Sequence, residues 1–128
     1  MSSYKGSFVY TRRSPRIAAE LPADFHILLP DKDLERYSLK IKTLSGGGLS
    51  FLSPVPLSVG TRIEMTLFDL TVQIIFTAEV TWIDNPPDPN TKTFRCGLKF
   101  THISDEDLAH IYRIVTNNLG ISISPSSF

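Results

Sequence analysis

Val72-Gln73-Ile74-Ile75-Phe76-Thr77-Ala78-Glu79-Val80-Thr81-Trp82-Ile83 decides the fold. Val72, Ile74, Phe76, Ala78, Val80 and Trp82 share one face, and Gln73, Ile75, Thr77, Glu79, Thr81 and Ile83 share the other. A period of two belongs to a strand, and a stripe on one side alone belongs to a strand with one face buried. Strict alternation of this kind favours antiparallel neighbours over a parallel sheet covered on both faces.

The same period recurs on both sides of this run. Phe25, Ile27 and Leu29 alternate with Asp24, His26 and Leu28, and Tyr37, Leu39 and Ile41 with Ser38, Lys40 and Lys42. Leu49 and Phe51 follow a glycine turn, Ile63, Met65 and Leu67 alternate with Arg62, Glu64 and Thr66, and Phe94, Cys96, Leu98 and Phe100 complete the set. Breakers separate the segments: Pro30-Asp31-Lys32-Asp33, Ser58-Val59-Gly60 and Asn85-Pro86-Pro87-Asp88-Pro89-Asn90. The last cannot be strand, because its prolines lack donors and fix their torsions.

The period changes once. Leu108, Ile111, Tyr112, Val115 and Leu119 recur at spacings of three and four, which predicts an amphipathic helix. Ser104 is its N-cap, Asp105, Glu106 and Asp107 suit the positive end of its dipole, and Asn118 or Gly120 ends it. Six short strands followed by one helix predict a mainly β fold, a six-stranded antiparallel barrel with a C-terminal α-helix; closure removes exposed edges. Residues 1–20 are expected to form a flexible arm, residues 21–120 the barrel and helix, and residues 121–128 a loose tail.

The chain has 128 residues, enough for one domain with its own core. Thirteen basic and thirteen acidic side chains give no net charge, so DNA or RNA is not an expected partner. No signal-peptide pattern and no apolar run of membrane-spanning length occurs, which predicts a cytoplasmic protein without membrane insertion. The single cysteine, Cys96, lies in phase with apolar residues and reads as a small buried hydrophobe. His26, His102 and His110 have no metal-ligand spacing and read as surface residues. No nucleophile elbow or phosphate loop is present, and Ser45-Gly46-Gly47-Gly48 leads into a strand rather than a helix. Neither catalysis, a metal nor a cofactor is expected.

Two motifs remain. Arg12-Arg13-Ser14-Pro15-Arg16 places planar, permanently charged groups ahead of the barrel, able to stack on a base, clamp phosphate or bond in pairs to guanine O6 and N7. Thr43-Leu44-Ser45-Gly46-Gly47-Gly48 carries more glycine than a hairpin needs, and close approach of a ligand is one reason to accept that.

On these residues the chain resembles the PilZ domain family, whose marks are R-x-x-x-R before the barrel and [DN]-x-S-x-x-G on it. Arg12 and Arg16 match the first mark, with Arg13 giving its double-arginine form; Ser45 and Gly48 match the second. Gly48-Leu49-Ser50-Phe51, Val80-Thr81-Trp82, Gly97-Leu98-Lys99-Phe100 and Ile103-Ser104-Asp105-Glu106-Asp107 continue the likeness, which covers residues 10 to 118.

The resemblance implies a receptor for the bacterial second messenger cyclic di-GMP, signalling to a partner protein through its N-terminal arm. Arg12 and Arg16 would read guanine edges and hold phosphates, Arg13 would add charge, Ser45 would bond near the guanine edge, and Gly48 would let the backbone come close. Trp82 would approach a base at the rim, although its phase also fits core packing. Thr43 departs from the family's Asp or Asn. It supports an alternative: a protein-interaction module of the same fold that has lost the ligand. A third reading, an oligonucleotide-binding barrel, fails for want of a basic groove and an aromatic platform.

Overall fold

The computed structural model describes residues 15–29, 35–84, 90 and 93–118. Within them, seven strands precede one helix: β1 (Ile17–Ala18), β2 (Pro22–Ile27), β3 (Tyr37–Leu44), β4 (Gly48–Ser53), β5 (Arg62–Asp69), β6 (Val72–Asp84), β7 (Phe94–Ile103) and α1 (Asp105–Asn118). The strands pair antiparallel in the order β3-β2-β5-β6-β7-β4, and β4 returns to β3 to close a six-stranded barrel. The predicted barrel and terminal helix are therefore the observed ones. Most of the expected arm, the tail, the Pro30–Asp33 turn and all of the proline loop but Asn90 lie outside the described residues.

The seventh strand, β1, is two residues long and falls in the segment expected to be an arm. Ile17 pairs with Leu44 and Ala18 with Thr43. Ala19 N–H then donates to Lys42 O (2.9 Å) and Ile41 N–H to Leu21 O (3.0 Å), and the ladder continues from Pro22 opposite Lys40. The chain from Ile17 to Phe25 thus follows one edge of β3. Buried Ile17 anchors its start. Two residues are too few to carry a period, so no alternation announces β1.

Alternate residues of every barrel strand enter one core, where Phe25 meets Phe51 edge to face with ring centroids 5.5 Å apart. α1 lays Ile111, Ile114 and Val115 onto it. Ser104 Oγ accepts from Asp107 N–H at 3.1 Å, the expected N-cap. Two side chains tie α1 to the β5–β6 hairpin: Asp107 Oδ2 accepts from Ile75 N–H (3.3 Å), and His110 Nε2 lies 2.9 Å from Asp69 Oδ2. Arg113 points a donor at His110 Nδ1 (3.2 Å), which leaves Nε2–H to face the carboxylate.

Two sequence expectations are corrected. His26 is not a surface residue; it is 5% exposed. It occupies the outer face of β2, but Arg36 Nη1 reaches its Nδ1 at 3.2 Å and Glu64 lies 3.8 Å from its Nε2. Arg36 is itself held by Asp24 at 2.8 Å, so long neighbours cover the ring. Leu29 is not on a core face either. β2 ends at Ile27, and Leu29 is 49% exposed.

Cys96 is buried, and burial pushes its thiol up to about 12. The folded protein is therefore expected to react slowly with a thiol reagent at pH 8, and the denatured chain quickly. The pH dependence follows the same cause. A thiol in the unfolded chain ionises near pH 9 while the folded one does not, so stability present below pH 9 falls as pH rises towards 12. A denaturation series across that window reads the loss, and Cys96→Ala flattens it.

Candidate functional site

An open cleft of about 1100 Å³ runs along the outside of the barrel, from Arg16 and the glycine turn, past Trp82 and Lys99, to Ile75 and Leu108 at the start of α1. The β1–β3 register builds its first wall. Ile17 opposite Leu44 puts Arg16 level with Ser45, so the cationic residue and the turn share one edge of the barrel. Arg16 and residues 45–48 all line the cleft. Arg12 and Arg13 lie outside the described residues.

The turn is held from within. Ser45 N–H donates to Gly48 O at 2.9 Å, Ser45 Oγ donates to the same oxygen at 3.2 Å, and Gly47 N–H donates to Ser45 Oγ at 3.2 Å. From the neighbouring strand, Phe100 N–H donates to Gly47 O at 3.0 Å. Ser45 is buried and its hydroxyl already makes two bonds in the turn.

Two of the three glycines have internal reasons. A Cβ on Gly48 would strike the carbonyl oxygen of Leu98 across the β4–β7 pair, so the close approach there is by protein backbone. A Cβ on Gly46 would come within 2.5 Å of the Tyr112 ring, because α1 lays that ring over the turn. Sequence alone offered a ligand as the reason for this glycine density, and the structure supplies strand and helix packing.

Thr43 does not line the cleft. β3 carries an extra residue, Lys42, between the pairs Ile41–Phe51 and Thr43–Ser50. Thr43 Oγ1 lies 2.6 Å from Ser50 Oγ, and Ser50 is buried. The threonine hydroxyl thus has a partner in its own sheet.

Trp82 lines the cleft, half-buried, and is absent from the core. A bulge explains the loss of phase. β6 inserts Thr81 between the pairs Val80–Leu98 and Trp82–Gly97, which shifts every residue beyond it. The indole lies on Gly97, where a Cβ would overlap its Nε1 and stand 2.8 Å from its Cδ1. The Arg95 guanidinium lies 5.9 Å from the Trp82 ring centroid. An aromatic surface thus stands within the same cleft as Arg16.

Sequence reading missed Lys99, Phe100 and His102 as cleft residues. They come from β7, some fifty residues after the turn, and only the β4–β7 register brings them there. Chemically the cleft offers cations, backbone and an aromatic face. Among the described residues, no cluster of His, Cys, Asp and Glu suits a metal ion, and no helix is long and apolar enough to cross a membrane.

A family model described as PilZ domain matches residues 10–117. The structure of the Bacillus subtilis inhibitor of motility, MotI/DgrA, superposes with a TM-score of 0.68 at 18% identity, over 88% of this chain and 53% of that one. The PilZ domain of YcgR from Escherichia coli with c-di-GMP gives 0.60 at 24% identity, over 84% and 91%. YcgR in complex with c-di-GMP, also from Escherichia coli, gives 0.60 at 26% identity, over 83% and 45%. The chain thus spans about half the length of two of these structures and nearly all of the isolated domain. No curated protein matches it.

Proposed function

The chain belongs to the PilZ domain family, and we propose that it is a non-enzymatic receptor for cyclic di-GMP whose bound state is read by a partner protein. One observation carries this reading. The β1–β3 register sets Arg16 beside the Ser45–Gly48 turn at the mouth of a cleft that also holds Trp82. The ligand has two guanines and two negative charges. Arg16, with Arg12 and Arg13 from the preceding segment, supplies planar cations for phosphate and base edges. Trp82 supplies a face for a base. YcgR, a structural neighbour, was solved with c-di-GMP. Ligand bridging this leader and the barrel would change the surface that a partner meets.

A second reading has its own support. The hydroxyls of Thr43 and Ser45 are engaged within the protein, and Thr43 brings no carboxylate to a guanine edge. A protein-contact module that no longer takes the ligand would look the same there. Calorimetric titration separates the two. The receptor reading expects heat at micromolar to tens-of-micromolar ligand. An Arg12→Ala, Arg16→Ala double variant is expected to bind about 100-fold more weakly or not at all, since each charge-assisted bond is worth about 1.5–3 kcal/mol. A silent wild type favours the contact module, and equal heat from wild type and variant removes the two arginines from the ligand site.

A further inference from the structure

We infer that Lys99 is a second anion contact of the cleft, a cation carried by the barrel itself that holds a phosphate from the side opposite Arg16. This deepens the cyclic di-GMP reading and rests on it.

The charge inventory of the cleft carries the inference. Its described lining contains two basic side chains, Arg16 and Lys99, and no carboxylate. That is a local excess in a chain whose formal net charge is zero. Register explains how the two cations flank one turn. Ile17 opposite Leu44 brings Arg16 to the Ser45 side, and Gly48 opposite Lys99 brings Lys99 to the other end. The donation from Phe100 N–H to Gly47 O fixes β7 against the turn immediately beside Lys99.

Lys99 is also left uncommitted. Leu98 before it is buried in the core, so Lys99 stands on the outer face, exposed. Glu79 lies directly across the β6–β7 pair, yet among the described residues Lys99 makes no ion pair. An exposed cross-strand pair of this kind is worth little even where it forms. Here the ammonium remains available to the cleft, and a doubly anionic ligand lying over the turn would meet one cation at each end. Arg16 sits in the motif by which the family is recognised; Lys99 sits outside both motifs and is placed by pairing alone.

The test is a titration of the whole chain with cyclic di-GMP at several salt concentrations. Lys99→Met is expected to bind about tenfold more weakly at low ionic strength, with the gap closing as salt screens the charge. Lys99→Arg is expected to stay within about threefold of wild type, because charge rather than shape is what the phosphate reads. Lys40→Met, which removes an exposed lysine outside the cleft, is expected to change nothing. Thermal melts of each variant exclude misfolding. If the wild type binds and Lys99→Met binds equally well at every salt concentration, the role of Lys99 is overturned and the receptor reading stands. If the wild type does not bind, both are overturned. If Lys99→Arg loses as much as Lys99→Met, the lysine acts through packing and the anion contact is overturned.

Discussion

Gly48→Ala is expected to lower the melting temperature by about 10 °C, corresponding to about 3 kcal/mol of lost stability. The added methyl would lie on the Leu98 carbonyl oxygen, 2.9 Å from the carbonyl carbon and 3.1 Å from Lys99 Cα. All three are backbone atoms, so no rotamer change relieves the overlap. The β4–β7 pair must separate, and it is one of the ladders that close the barrel. Total stabilities of small domains are about 5–15 kcal/mol, so the variant stays folded at room temperature but with much less reserve. Gly60→Ala provides the contrast. Gly60 has φ of 93° but nothing within 4 Å of its would-be Cβ, so only the torsional penalty applies, about 1–2 kcal/mol. Thermal denaturation of the two variants side by side reads the difference. A Gly48→Ala melt within about 2 °C of wild type would show that the strand contact is soft.

Gly97→Ala is expected to act on the ligand instead. Here the methyl meets a side chain, the indole of Trp82, and side chains can turn away. Stability falls modestly while the aromatic surface leaves its place in the cleft. A base stacked on an aromatic ring is worth about 1–3 kcal/mol, so affinity for cyclic di-GMP is expected to fall about tenfold or more. Trp82 is the single tryptophan of the chain, which makes its fluorescence a direct report. Its emission is expected to move to longer wavelength in the variant as the ring becomes more exposed. Unchanged emission with unchanged affinity would mean that the glycine does not hold the ring. Changed emission with unchanged affinity would remove Trp82 from the binding surface.

Most of the barrel was legible because alternation reports which face of a strand is wet. β6 shows this best: its residues Ile74, Phe76, Ala78 and Val80 are all buried, as their phase requires. Phase fails where pairing, not local sequence, sets the geometry. Nothing near Thr81 announces a bulge; the extra residue is defined only against Leu98 and Gly97 on β7. By phase alone Trp82 fits the core, and the bulge puts it in the cleft, at the rim where the family resemblance set it. His26 read as wet because it alternates with Phe25, but its cover comes from Arg36 and Glu64 on other parts of the chain.

The cleft divides along the same line. Arg16, Ser45 and Gly48 were found through an ordered pair of motifs, and the β1–β3 register brings Arg16 and Ser45 together. Lys99 and Phe100 enter through a ladder between distant segments, and Thr43 is turned towards Ser50 by a bulge. The glycines were noticed correctly and explained incompletely, because the Leu98 carbonyl and the Tyr112 ring become their neighbours only after folding.

The turn from Ser45 to Gly48 has a thermodynamic consequence. Its carbonyls and amides are tethered to one another and to Phe100, and Tyr112 rests on Gly46. The freedom of those glycines is surrendered when the barrel forms, so a guest arriving later finds a rigid shelf and has none of it left to quench. Among the described residues beside that shelf, the long side chains of Arg16 and Lys99 remain to be immobilised on binding. The turn's own share of anion recognition should be governed by ionic conditions more than by temperature-dependent ordering of its backbone.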